Sequence, residues 1–94
     1  MDIEITKLQL NEILTVLLNE KHSINLYDAS EYHVSFLYEH KKIPEFVDEC
    51  FYEKNCTILI NSNNYIELSD EDGVVMIESV SNPDIRKMIN HFIG

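Results

Sequence analysis

The stretch from Cys56 to Val80 constrains the fold more than any other part of the chain. Three short apolar-rich runs, Cys56–Ile60, 65–68 and Val74–Val80, alternate with two polar segments, 61–64 and 69–73. Runs of this length suit strands rather than core helices. Connections of this length join only antiparallel neighbours, because a parallel crossover needs a dozen residues or more. Asn61, Asn63 and Asn64 tolerate positive φ, and Gly73 supplies it freely. An antiparallel meander is therefore expected here. The run Val74-Val75-Met76-Ile77 is apolar on both faces, which predicts a central strand or one covered on both sides.

The rest of the chain reads as helices and one further strand pair. Leu10, Ile13, Leu14, Leu17 and Leu18 fall on one stripe of a helix predicted over 6–20, opened by a Thr6/Gln9 capping box. Phe46, Val47, Cys50 and Phe51 form the stripe of a second helix over 44–54, with Pro44 in its first turn. Asn82 as N-cap and Pro83 behind it open a third helix, whose stripe is Ile85, Met88, Ile89 and Phe92. Segments 23–27 and 31–39 read as strands joined at Asp28-Ala29-Ser30. A helix after Ser30 also fits Tyr32, Phe36 and Leu37, but β-branched and aromatic residues dominate and favour a strand. The expected fold class is α+β, in the order α-β-β-α-β-β-β-α, with a largely antiparallel sheet packed by helices.

The 94 residues suffice for one domain, 1–94, and not for two independent cores. With only two Gly and two Pro, the chain is not linker-rich or disordered. No apolar h-region follows Met1 and no apolar run is long enough to span a bilayer, so a cytoplasmic protein without membrane association is expected. The Asn55-Cys56-Thr57 sequon should then stay unused, and Cys50 and Cys56 should be reduced, partly buried thiols rather than a disulfide.

The formal net charge of −10 is unevenly distributed. Residues 43–84 hold ten acids and one base, Lys54, whereas 85–94 hold Arg86 and Lys87 and no acid. A concentrated negative field repels nucleic acid and attracts basic surfaces, so direct nucleic-acid binding is not expected and a basic protein partner is. Glu45, Asp48, Glu49 and Glu53 would decorate the second helix, and Glu67, Asp70, Glu71, Asp72 and Glu78 would lie on or near the following hairpin. If helix and hairpin face the same way, these acids form one negative surface. Any single acid reads as ordinary solvated surface; only the block points to docking. Tyr52 and Tyr65 lie inside it, and tyrosine offers contact area with few rotatable bonds. The candidate partner-binding residues are thus Glu45, Asp48, Glu49, Tyr52, Glu53, Tyr65, Glu67, Asp70, Glu71 and Asp72.

Other chemistries find no pattern. An EF-hand counted from Asp70 puts Gly73 at position 4 and Ser81 where a bidentate Glu is required. His22, His33, His40 and His91 show no metal spacing, and no Cys/His zinc pattern is present. Cys50 lies on a core stripe rather than at a nucleophile's position. The two glycines, Gly73 and Gly94, cannot make a phosphate loop. No catalytic residue, metal or cofactor is assigned, and an enzyme is not expected.

In size, acidity and tyrosine content the chain resembles the immunity proteins that neutralise bacterial nuclease toxins. That resemblance implies an inhibitor docked by charge complementarity on a basic toxin or nuclease domain. Two other readings share some of these features: a phage or plasmid anti-defence protein that imitates DNA, and a small secretion-type chaperone or adaptor.

Overall fold

In the computed structural model, which describes residues 3–28 and 33–93, three helices lie against one face of a six-stranded antiparallel sheet. The elements are β1 (Ile3–Glu4), α1 (Lys7–Asn19), β2 (Ile24–Asp28), β3 (His33–Leu37), a 3-10 turn (His40–Lys42), α2 (Ile43–Glu53), β4 (Cys56–Ile60), β5 (Asn64–Glu71), β6 (Val74–Val80) and α3 (Pro83–Ile93). The spatial order of the strands is β1-β6-β5-β4-β2-β3. The expected order of helices and strands is observed, with the two-residue β1 added at one edge.

α1 and α3 start at side-chain caps, whereas α2 has none. Thr6 Oγ1 accepts from the Gln9 N–H at 3.1 Å and Gln9 Oε1 accepts from the Thr6 N–H at 2.9 Å, so the capping box is formed. Asn82 Oδ1 accepts from the N–H groups of Asp84 and Ile85 at 2.8 and 3.2 Å. α2 begins one residue earlier than the sequence predicts, because the buried Ile43 continues out of the 3-10 turn. It ends at Lys54, whose φ of 61° breaks the helix while its N–H still bonds the Cys50 carbonyl at 2.9 Å.

The core lies between the helices and the sheet. Leu10, Ile13, Leu14 and Leu17 of α1 meet Ile24, Leu26, Ile58, Ile60, Ile66 and Ile77 of the sheet, all at most 1% exposed. Ile43, Phe46, Val47 and Cys50 of α2 and Ile85 and Ile89 of α3 complete it. Leu18, Phe51, Met88 and Phe92, expected on the buried stripes, are only partly buried.

The segment expected as strand 31–39 is a strand over His33–Leu37; residues 31 and 32, and the turn residues Ala29 and Ser30, lie outside the described residues. β5 runs on to Glu71 where the sequence predicts a turn from Ser69. The polar run is zipped into the ladder because Asp72 and Gly73, at φ 54° and 86°, make a two-residue hairpin turn on their own. The Gly73 N–H bonds Asp70 Oδ1 at 2.8 Å. β6 has a strand on either side, but the helices cover one face only, and Val74 is exposed. A bulge interrupts the β5–β6 ladder: Glu67 pairs with Ser79 and Leu68 with Ile77, leaving Glu78 as the extra residue.

Candidate protein-binding surface

α2 projects its acids away from the core, and several are already met within the chain. Lys7 Nζ lies 3.1 Å from Asp48 Oδ1 and Lys42 Nζ 3.6 Å from Glu45 Oε2. Ser35 Oγ donates to Glu49 Oε1 at 2.8 Å, and Lys7 also sits 5.9 Å above the centre of the Phe51 ring. Exposed pairs of this kind add little stability, but they place cations on the acidic face and weaken its field. Tyr52, at 82% exposure, stands free of the core on the same helix.

Tyr65 and Glu67 point the other way. In β5 the buried Ile66 and Leu68 face the helices, so the alternating residues Tyr65, Glu67 and Ser69 face away from them. The register extends this uncovered face across the sheet in rows. Phe36, Asn25, Leu59 and Tyr65 stand side by side across β3, β2, β4 and β5. Tyr27, Thr57, Glu67 and Ser79 form the next row across β2, β4, β5 and β6. Ser69, Met76 and Glu4 form a third across β5, β6 and β1. None of these positions holds Lys, Arg or His.

The face is apolar and aromatic as well as acidic. Phe36 is 54% exposed and stacks on Tyr38, with ring centroids 5.9 Å apart and planes 9° from parallel. Tyr27 and Tyr65 are a little over one-third exposed. Glu67 is half-buried and accepts one hydrogen bond, from Ser79 Oγ at 2.7 Å. Among the described residues no cation pairs with it. Ser69 Oγ is buried there with no hydrogen-bond partner among the described residues.

The sequence candidates therefore fall into three places rather than one. Glu45, Asp48, Glu49, Tyr52 and Glu53 lie in the helical layer, and Tyr65 and Glu67 on the opposite face of the sheet. Asp70, Glu71 and Asp72 lie at the end of the sheet where α2 stops, tied there by the Asp70 N–H bonding Asn55 Oδ1 at 3.0 Å. Sequence reasoning passed over Tyr27, Phe36, Leu59 and Met76. Their period-two alternation with buried residues was the available signal, but it does not say which side of a sheet the helices leave bare.

Both cysteines and two of the histidines make contacts within the fold. Cys50 and Cys56 are free and buried, with Cys56 Sγ 4.0 Å from the Cys50 carbonyl oxygen. The hydrogen bond with Cys56 and burial push the Cys50 thiol well above its ordinary pKa, so it stays protonated. His22 lies against Asn61 and Glu20, and His40 against Asn19. Among the described residues, no cluster of three or more His, Cys, Asp or Glu is arranged to hold a metal, and no helix is long and apolar enough to cross a membrane.

The geometry defines an α+β domain with an uncovered sheet face whose rows, among the described residues, carry aromatic and acidic side chains and no Lys, Arg or His. Comparisons with protein-family models, curated proteins and solved structures gave no match to the chain.

Proposed function

We propose that this protein works by binding a basic protein, as an inhibitor of the immunity-protein kind that covers the cationic cleft of a nuclease-type toxin in the cytoplasm. The observation that carries this reading is the excess of 17 acids over 7 bases, joined to a sheet face that carries exposed aromatics and a half-buried carboxylate with no paired cation among the described residues. Aromatic anchors supply contact energy, and charge complementarity supplies rate and register. The two free, buried thiols fit a reducing compartment. Affinity capture on the immobilised chain at low salt, with mass-spectrometric identification of what salt elutes, tests it. The expected product is a single basic protein whose nuclease activity falls on addition of this chain. Recovery of an acidic, apolar client instead contradicts the reading and favours an adaptor that uses the exposed aromatics alone.

A further inference from the structure

We infer that the cationic partner docks on the uncovered face of the sheet rather than on α2, and that an arginine of the partner pairs with Glu67. The inference rests on the protein-binding reading above and specifies its surface and its recognition chemistry.

Three observations separate the two faces. Two of the four acids of α2 have cations of this chain beside them, Lys7 at Asp48 and Lys42 at Glu45, and Glu49 accepts from Ser35 Oγ. Glu67 is half-buried, and among the described residues its carboxylate accepts a single hydrogen bond, from Ser79. A carboxylate has about four acceptor sites, so most of its capacity is open. Removing a half-buried charge further from water is favourable only if a donor meets it, which makes the position selective for a cation.

The surroundings favour a guanidinium over an ammonium. Tyr65 precedes Glu67 by two residues on the same face of β5, and Tyr27 stands two strands away in the same row, with the small Thr57 between. Two strand spacings put Tyr27 about 10 Å from Glu67 across that row. Thr57 thus stands between Tyr27 and Glu67, with Tyr65 beside Glu67 on β5, a patch termed the trough. A planar guanidinium can stack on a ring and donate a bidentate pair to the carboxylate, whereas an ammonium is a compact, strongly hydrated point charge. Phe36 and Tyr38 extend the trough towards β3 as an apolar shelf for the partner's neighbouring side chains. A second copy of this chain is the wrong occupant: it would bring an equally acidic face against this one, with a net −10 on each side.

The test is an amide NMR titration of the full chain with an acetylated, amidated hexa-arginine peptide at low salt, with the hexa-lysine peptide as comparison. The expected result is saturable shifts at residues 25, 27, 57, 59, 65 and 67, and tighter binding of the arginine peptide by about threefold or more. Glu67→Gln should weaken it at least about fivefold, and Asp48→Asn by less than about twofold. Thr57→Lys, which plants a cation in the trough, should abolish the response and serves as the second variant should Glu67→Gln disturb the fold. Shifts centred on residues 45–53, equal affinity for both peptides, or no effect of either trough variant would overturn the docking face while leaving a cationic partner in place. Shifts at the trough that grow with protein concentration and without peptide would assign it to self-association and overturn the inference. Absence of saturable binding anywhere, together with failure to capture a basic protein, would overturn the underlying reading as well.

Discussion

Ser79 Oγ donates a 2.7 Å hydrogen bond to Glu67 Oε2 across the β5–β6 ladder, at the last paired position before the bulge that sets Glu78 aside. The hydroxyl orients the carboxylate without neutralising it. Ser79→Ala should cost about 1.5 kcal/mol, the low end for a bond to a charged group because the pair is only half-buried. Urea unfolding should show a lower midpoint at unchanged slope. A loss of several kcal/mol would mean that the bond holds the bulge itself.

The centre of the core lies under α1. Leu14 is 0% exposed, so Leu14→Ala should destabilise by about 2–5 kcal/mol, the transfer loss plus a cavity. Phe51 sits on the predicted stripe of α2 but is partly exposed with Lys7 over its ring. Phe51→Ala should therefore cost clearly less than Leu14→Ala. Equal costs in parallel denaturation curves would show that Phe51 is packed more tightly than its exposure indicates.

Two side-chain caps hold helix starts. Thr6→Ala removes the Oγ1 acceptor of the capping box around α1 while leaving the backbone N–H that bonds Gln9 Oε1, and Asn82→Ala leaves the N–H groups of Asp84 and Ile85 without their acceptor. Each should cost about 0.5–2 kcal/mol, and Gly at either position only a few tenths. Thermal melts of the four variants check this order; Gly variants as unstable as the Ala ones would contradict it.

Cys50 makes stability depend on alkaline pH. Its folded thiol is raised, by the hydrogen bond with Cys56 first and by burial second, so it remains protonated where an unfolded thiol ionises. The unfolded state then binds fewer protons, and stability falls as pH rises above about 8.5, the unfolded thiol's range. Below that range the contribution is complete. Melting temperature should drop between neutral pH and about pH 10 more steeply for this chain than for Cys50→Ala. Identical slopes would assign the dependence to other groups. The same burial predicts that native Cys50 resists thiol-directed alkylation, and that denaturant exposes it.

The elements were legible in the sequence to the extent that period and caps encode them. The α1 stripe, the Thr6/Gln9 box, Asn82-Pro83 and the positive φ of Gly73 are local signals, and each sits where local chemistry puts it. The two-residue β1 is too short to show a period, and the extension of β5 through Ser69-Asp70-Glu71 is imposed by a hairpin turn tighter than its polar composition advertises. The candidate surface was less legible. Charge along the chain is one-dimensional, whereas strand alternation sends Tyr65 and Glu67 to one side of the sheet and α2 covers the other. Which acids have cations beside them, as Asp48 has Lys7 from 41 residues away, is a property of the folded chain alone.

The central claim is that a basic protein is recognised by charge on an aromatic face. The most direct measurement is the association rate constant of the captured partner as ionic strength rises from about 0.05 to 0.5 M, over which the screening length shrinks severalfold. The account predicts a steep fall in the association rate for the native chain and a shallower one for Glu67→Gln, with dissociation faster in that variant. An association rate indifferent to salt, and indifferent to Glu67, would contradict it.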